Sequence, residues 1–169
     1  SRDWSSDVYS SDLATFSKIG TASTTDTFYA DNTIAPDASA YEYRISTQNL
    51  CGQTIYSAPH TSVLLNGVKT GPFTMNITFS GYLGFPGGIS RYELYRALPG
   101  SSGFQLYQNY TSPTTDNFNN GQDNYQQIFR IKAYEQGGNR VSWSNDIVIN
   151  FEPVVFIPDA FTPNNNGKN

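Results

Sequence analysis

Phe73-Thr74-Met75-Asn76-Ile77-Thr78-Phe79 alternates apolar and polar residues without a break. Successive side chains of a strand point to opposite faces, so this pattern marks a strand with one buried face. Downstream, Gln127, Phe129, Ile131 and Ala133 alternate in the same way, and Gln136-Gly137-Gly138-Asn139 ends that run. Between them the chain reads as strands separated by turns. Gly84-Phe85-Pro86-Gly87-Gly88 is a turn, and residues 89–98 form a strand with Tyr92 and Leu94 on one face. Pro99-Gly100-Ser101-Ser102-Gly103 turns into a strand over 104–110, and Thr114-Thr115-Asp116 opens a short one. Residues 141–151 supply the last strand. About seven strands with a turn signal every ten or so residues is the pattern of an antiparallel β-sandwich.

Composition agrees. Aromatics make up 15% of the 169 residues and charged residues only 14%, which excludes a disordered chain. Tyr, Phe and Thr suit pleated, half-buried surfaces, and Asn, Gly and Pro suit turns. The net charge is −4 and the ten Lys and Arg are scattered, so no nucleic-acid partner is expected. No apolar run is long enough to span a membrane. One Cys and one His cannot build a structural zinc site, and no cofactor is expected. The chain opens on no signal peptide, and we read it as a mature, internal or truncated segment.

The chain also repeats itself. Phe16 matches Phe104, Thr24-Thr25-Asp26-Thr27-Phe28 matches Thr114-Thr115-Asp116-Asn117-Phe118, and Tyr41-Glu42-Tyr43-Arg44-Ile45 matches Gln127-Ile128-Phe129-Arg130-Ile131. Tyr56-Ser57 matches Trp143-Ser144, and the offset stays between 86 and 90 residues. One module is thus the size of an immunoglobulin-like sandwich. The expected organisation is a partial module over 14–66, holding only the later strands, and a fuller module over 67–152. Residues 153–169 form a tail, and residues 1–13 are atypical. That opening stretch resembles a translated sequencing-adapter read-through, with Tyr9 in place of the usual Cys, and as such would be an artefact that carries no information on the fold.

The run Tyr92-Glu93-Leu94-Tyr95-Arg96, with Gly103-Phe104, Thr115-Asp116 and Phe129-Arg130-Ile131-Lys132-Ala133, resembles bacterial fibronectin type III repeats. The fold class expected is therefore all-β: tandem antiparallel sandwiches of fibronectin type III or immunoglobulin-like type, the first incomplete. The sequence departs from the family in two places. Tyr41 is placed for a tyrosine corner in the first module, but Gln127 stands there in the second. The core Trp is missing, and Phe79 or Tyr82 must substitute. The tail, with Pro158, Ala160, Phe161, Thr162, Pro163 and Asn164, resembles the opening of the gliding-motility-associated C-terminal domain of Bacteroidetes. That resemblance implies cargo of the type IX secretion system, with the secretion machinery as a partner through the C-terminal segment, and an extracellular or cell-surface location.

No catalytic constellation is legible, and no metal site is expected. His60 reads as a surface residue of a last strand or linker. Cys51, in the turn Leu50-Cys51-Gly52, reads as a structural thiol or half of a disulfide to the missing strands. Asp26 and Asp116 recur at equivalent positions and read as turn-stabilising rather than calcium-binding. The run 164–169 lacks the carboxylates that hard cations prefer and reads as a polar turn. Asn76-Ile77-Thr78 and Asn109-Tyr110-Thr111 match the N-glycosylation pattern, with Asn76 on the outward face. The function expected is a non-catalytic structural or adhesive module of a secreted bacterial surface protein: an adhesin, a gliding-type protein or a filament subunit. Self-association by strand addition, or a surface glycan or protein ligand, would follow. The alternative is a set of accessory C-terminal modules of a secreted polysaccharide hydrolase.

Overall fold

The computed structural model describes residues 5–11, 16–23, 25–120 and 125–151. Strands and turns account for all the secondary structure among the described residues. The strands are β1 (Ser5–Ser11), β2 (Ser17–Ser23), β3 (Glu42–Gln48), β4 (Thr54–Tyr56), β5 (His60–Thr61), β6 (Leu65–Lys69) and β7 (Thr74–Phe79). They continue with β8 (Ile89–Ala97), β9 (Gln105–Tyr110), β10 (Thr115–Asn119), β11 (Gln126–Glu135), β12 (Val141–Trp143) and β13 (Ile147–Asn150).

The second module is a sandwich of two antiparallel sheets. One runs in the order β10-β7-β6 and the other in the order β12-β11-β8-β9, with β13 also paired to β11. This order, with a first hairpin and a later strand facing five others, is that expected of a fibronectin type III-like unit. The alternating residues fill the space between the sheets. Met75, Ile77 and Phe79 of β7 face Leu94 of β8 and Phe129, Ile131 and Ala133 of β11, and all are buried in one cluster with Leu65, Tyr92 and Phe118. Phe79 takes the place of the missing Trp, its ring 5.1 Å from that of Tyr92 and 5.4 Å from that of Tyr110. Gln127 continues the inward row, but its buried Oε1 has no hydrogen-bond partner.

The first module is one sheet, in the order β2-β1-β3-β4 with β5 also on β3. It repeats the five-stranded sheet of the second module strand for strand. Val8 pairs Ile45 and Tyr9 pairs Arg44, as Leu94 pairs Ile131 and Tyr95 pairs Arg130. The register shifts at Val8/Tyr9 against β2, as it does at Leu94/Tyr95 against β9. Ser57 donates its amide to Ile45 O and its Oγ accepts from Ile45 N; Ser144 does both to Ile131. Tyr41 forms the tyrosine corner, its hydroxyl accepting from Ala35 N at 3.2 Å.

The structure differs from the sequence reading in four places. The atypical stretch 1–13 contains β1, hydrogen-bonded to β2 and β3 on its two sides. A strand at the centre of a sheet is held by backbone pairing, which composition does not register. The second core begins at Val63, ahead of residue 67, because Val63 and Leu65 are buried in it. The last strand is broken into β12 and β13 by a turn at Ser144, whose Oγ is bonded to the backbone on both sides. His60 is half-buried where the modules meet, with Nδ1 hydrogen-bonded to Tyr82 Oη and a backbone bridge from Thr61 to Leu83 beside it. Gly84, at φ 120°, lies directly beneath the His60 ring, a conformation and a closeness that a side chain would not tolerate.

Candidate functional site

The repeated sheets present two faces, and each carries a distinct arrangement. On the outward face, β11 points Arg130, Lys132 and Tyr134 away from the core, because Phe129, Ile131 and Ala133 point in. Arg130 lies 3.8 Å over the Phe104 ring and 5.6 Å over Trp143. Lys132 lies 4.8 Å over Trp143 and 4.7 Å over Tyr134, and Arg91 lies 3.9 Å over Tyr134. Cations and ring faces thus alternate from Phe104, just ahead of β9, across β8, β11 and β12, each contact attractive through the ring quadrupole. Arg130 is also held by Asp146, Nε donating to Oδ1 at 2.8 Å. The first sheet repeats the core of this ladder: Arg44 lies 4.0 Å over Phe16 and 4.1 Å over Tyr56.

Glu93 sits inside the second ladder and is nearly buried. It accepts from Arg91 Nε at 2.7 Å, Tyr95 Oη at 2.7 Å and Tyr134 Oη at 2.6 Å. Burial alone would raise its pKa; the bonds from Tyr134, Tyr95 and Arg91 outweigh burial and hold the carboxyl below its ordinary value. The Tyr95 hydroxyl is correspondingly pushed up, by its bonds to Tyr134 and Glu93 first and by burial next. Three donors thus converge on one carboxylate and tie β8 to β11 on this face.

The inward face of the first sheet is different. Val8, Tyr43 and Ile45 line a depression of about 370 Å³, together with Tyr29, Asp31 and Ile34. Tyr43 Oη donates to Asp31 Oδ2 at 3.2 Å, and burial, then the charge of Asp31, pushes that hydroxyl up to about 12. Asp31 is further tied to Thr33 N and Oγ1. The depression is therefore apolar, with its one carboxylate already engaged. Ile45 remains 51% exposed, whereas its counterpart Ile131 is wholly buried.

Between the modules, Asn145 acts as a clamp. Its Oδ1 accepts from Leu65 N at 2.8 Å, and its Nδ2 donates to Leu65 O at 3.0 Å and Asp37 Oδ1 at 3.1 Å. A cleft of about 200 Å³ lies beside it, lined by Ile34, Tyr41, Val63 and Trp143 among others.

The residues singled out in the sequence do not converge. Asn76 and Asn109 lie on β7 and β9, Asn76 on the side away from the core and Asn109 exposed. Cys51 is an exposed free thiol in the turn 49–52, its amide bonded to Asn49 Oδ1. Asp26 accepts from Ser23 N in its turn, whereas Asp116 accepts from Tyr110 Oη. Pro158, Ala160, Phe161, Thr162, Pro163 and Asn164 lie outside the described residues. Among the described residues no group of three or more His, Cys, Asp or Glu is placed to hold a metal ion. Sequence reasoning missed the ladders. The signal was there, since Phe16, Arg44 and Tyr56 had already been matched with Phe104, Arg130 and Trp143.

No family model matches the chain, and no curated protein is similar to it. Among solved structures, the chain is similar to the FN1–FN3 domains of chicken CNTN1, with 11% identity and a TM-score of 0.38. The likeness covers 88% of this chain, which spans 57% of the length of that one. At that score it carries no argument, and the assignment to a fibronectin type III-like fold rests on strand order and register.

Proposed function

We propose that this chain is a non-catalytic structural and adhesive segment of a secreted bacterial surface protein, delivered through the type IX route by the sorting region that its tail begins. The observation that supports this reading is the repetition of one five-stranded sheet, in one register, with one cation–aromatic ladder. Repetition of a rigid unit lengthens a protein and multiplies a surface; it does not assemble reacting groups. The ladders are fully engaged within their own faces, and the apolar depression offers no paired acid and base. Resemblance of the tail to the gliding-motility-associated domain supplies the route.

The test is location. Intact cells of the source organism are treated with proteinase K and blotted with antiserum raised against the chain. Loss of the signal before lysis is the expected result. Protection until the cells are broken would overturn the reading.

A further inference from the structure

The second module shows what covers the face that the first sheet leaves open. There Phe118 of β10 is 3% exposed, and Phe129 and Ile131 are wholly buried. Their counterparts in the first module are Phe28, 83% exposed, Tyr43, half-buried, and Ile45, 51% exposed. Residues 25–28 carry the sequence of β10, Thr-Asp-Thr-Phe against Thr-Asp-Asn-Phe, yet they form no strand. The difference is the neighbour. β10 is paired with β7 over five residues, Thr115 to Asn119 against Thr78 to Thr74. β7 is in turn paired with β6, and the hairpin lays Leu65, Met75, Ile77 and Phe79 on Leu94, Phe129 and Ile131. In the first module the matching side chains are in place and the hairpin is not.

We infer that the open face of the first sheet is the seat of a β-hairpin of the β6–β7 kind, supplied by the same polypeptide ahead of β1. Its second strand pairs antiparallel with residues 25–29, which then become a strand. Its alternate apolar residues pack on Val8, Tyr43, Ile45 and Phe28. A large apolar residue opposes Phe28, as Met75 opposes Phe118. The seat takes apolar residues because its carboxylate, Asp31, is already bonded to Thr33 and Tyr43. A second copy of the chain does not fit the role: its own hairpin is held between β10 and the second sheet. This inference rests on the repeat and is independent of where the protein resides.

The experiment places residues 63–88 ahead of Asp3 of the full chain, in place of Ser1-Arg2, so that the hairpin enters β1 as it enters β8. Hydroxyl-radical footprinting with mass spectrometry reads the accessibility of Phe28, Tyr43 and Ile45, and light scattering reads the mass. In the 169-residue chain these residues are labelled readily. In the fusion, labelling of Phe28 falls by about tenfold or more, following the contrast of 83% with 3% between Phe28 and Phe118. A fusion with Met75→Asp and Ile77→Asp in the grafted copy alone gives no protection. Unchanged labelling in the fusion would overturn the inference. So would a 169-residue chain that runs as a dimer with Phe28 and Ile45 already protected, because a second copy would then be the occupant.

Discussion

Ile131 and Ile45 occupy the same register position in the two sheets, one facing a packed core and the other an open face, so they form an internal control. Truncation to alanine removes the same atoms from each. Ile131 is wholly buried between Leu94, Phe129 and the β7 row. Its truncation loses about 0.8 kcal/mol per buried methylene plus a cavity term, about 2–5 kcal/mol in all. Ile45 is 51% exposed. Its truncation loses roughly half of the transfer term and opens no sealed cavity, so about 1 kcal/mol is expected. The two proteins are compared by urea unfolding at pH 7 in a Trp4→Phe background, with Trp143 fluorescence following the second module and amide hydrogen exchange in β3 following the first. A loss of about 3 kcal/mol corresponds to a fall of roughly 10–20 °C in the melting temperature of a domain this size. Ile131→Ala should therefore move the second module by that order and leave β3 protected. Ile45→Ala should move β3 slightly and leave the Trp143 transition in place. Equal costs at the two positions would refute the claim that one face is covered and the other open.

Three further outcomes follow from the site. Glu93→Gln removes a carboxylate whose folded pKa lies below its ordinary value, so the stability it contributes is present above about pH 5 and fades as the pH falls through the folded value. The variant should be about 2 kcal/mol less stable at pH 7, with the gap to the parent closing below about pH 4, read from urea midpoints across the pH range. Asn145→Ala leaves Leu65 N and O without their partner and frees Asp37; a loss of about 1–3 kcal/mol is expected, with increased exchange of the Leu65 amide by nuclear magnetic resonance. Gly84→Ala forces a side chain to φ 120° and to within 2.6 Å of the His60 ring, so about 1–3 kcal/mol is expected in thermal melts, and His60→Ala should restore only the part due to the ring, since the His60 Cα still lies 2.9 Å from the added Cβ.

Much of this was legible because burial imposes its period on the chain. β7 and β11 were read residue by residue, since each faces a core on one side and solvent on the other, and their buried rows are those the alternation marks. The repeat was legible for the same reason, and the tyrosine corner at Tyr41 followed from it. β1 was not legible. Its pairing partners set it, and apart from Val8 its sequence offers no apolar row. Glu93 was equally opaque. A carboxylate between Tyr92 and Leu94 reads as the solvent side of a strand, and only the fold shows Arg91, Tyr95 and Tyr134 folding over it. His60 lies on the last strand of the first module, as read, but is half-buried because its partner Tyr82 belongs to a loop of the other module.

The two ladders explain how one sheet can keep its form while its inward face is open. Arg44 has its rings on either side just as Arg130 does, although one sheet is covered and the other is not. The contacts lie on a single face, to the next strand at Tyr56 and Trp143 and across an intervening strand at Phe16 and Phe104, so they stabilise the sheet as such and ask nothing of the opposing one. The serine that bonds the backbone on both sides of its turn, Ser57 in one unit and Ser144 in the other, is likewise internal to the sheet. The inward rows are the reverse case, since Phe28 and Ile45 gain little until an opposing hairpin removes them from water. Each unit thus divides into a part that specifies its own sheet and a part that requires a second layer. A chain built of such units can hold the first part in register while the second waits for its hairpin.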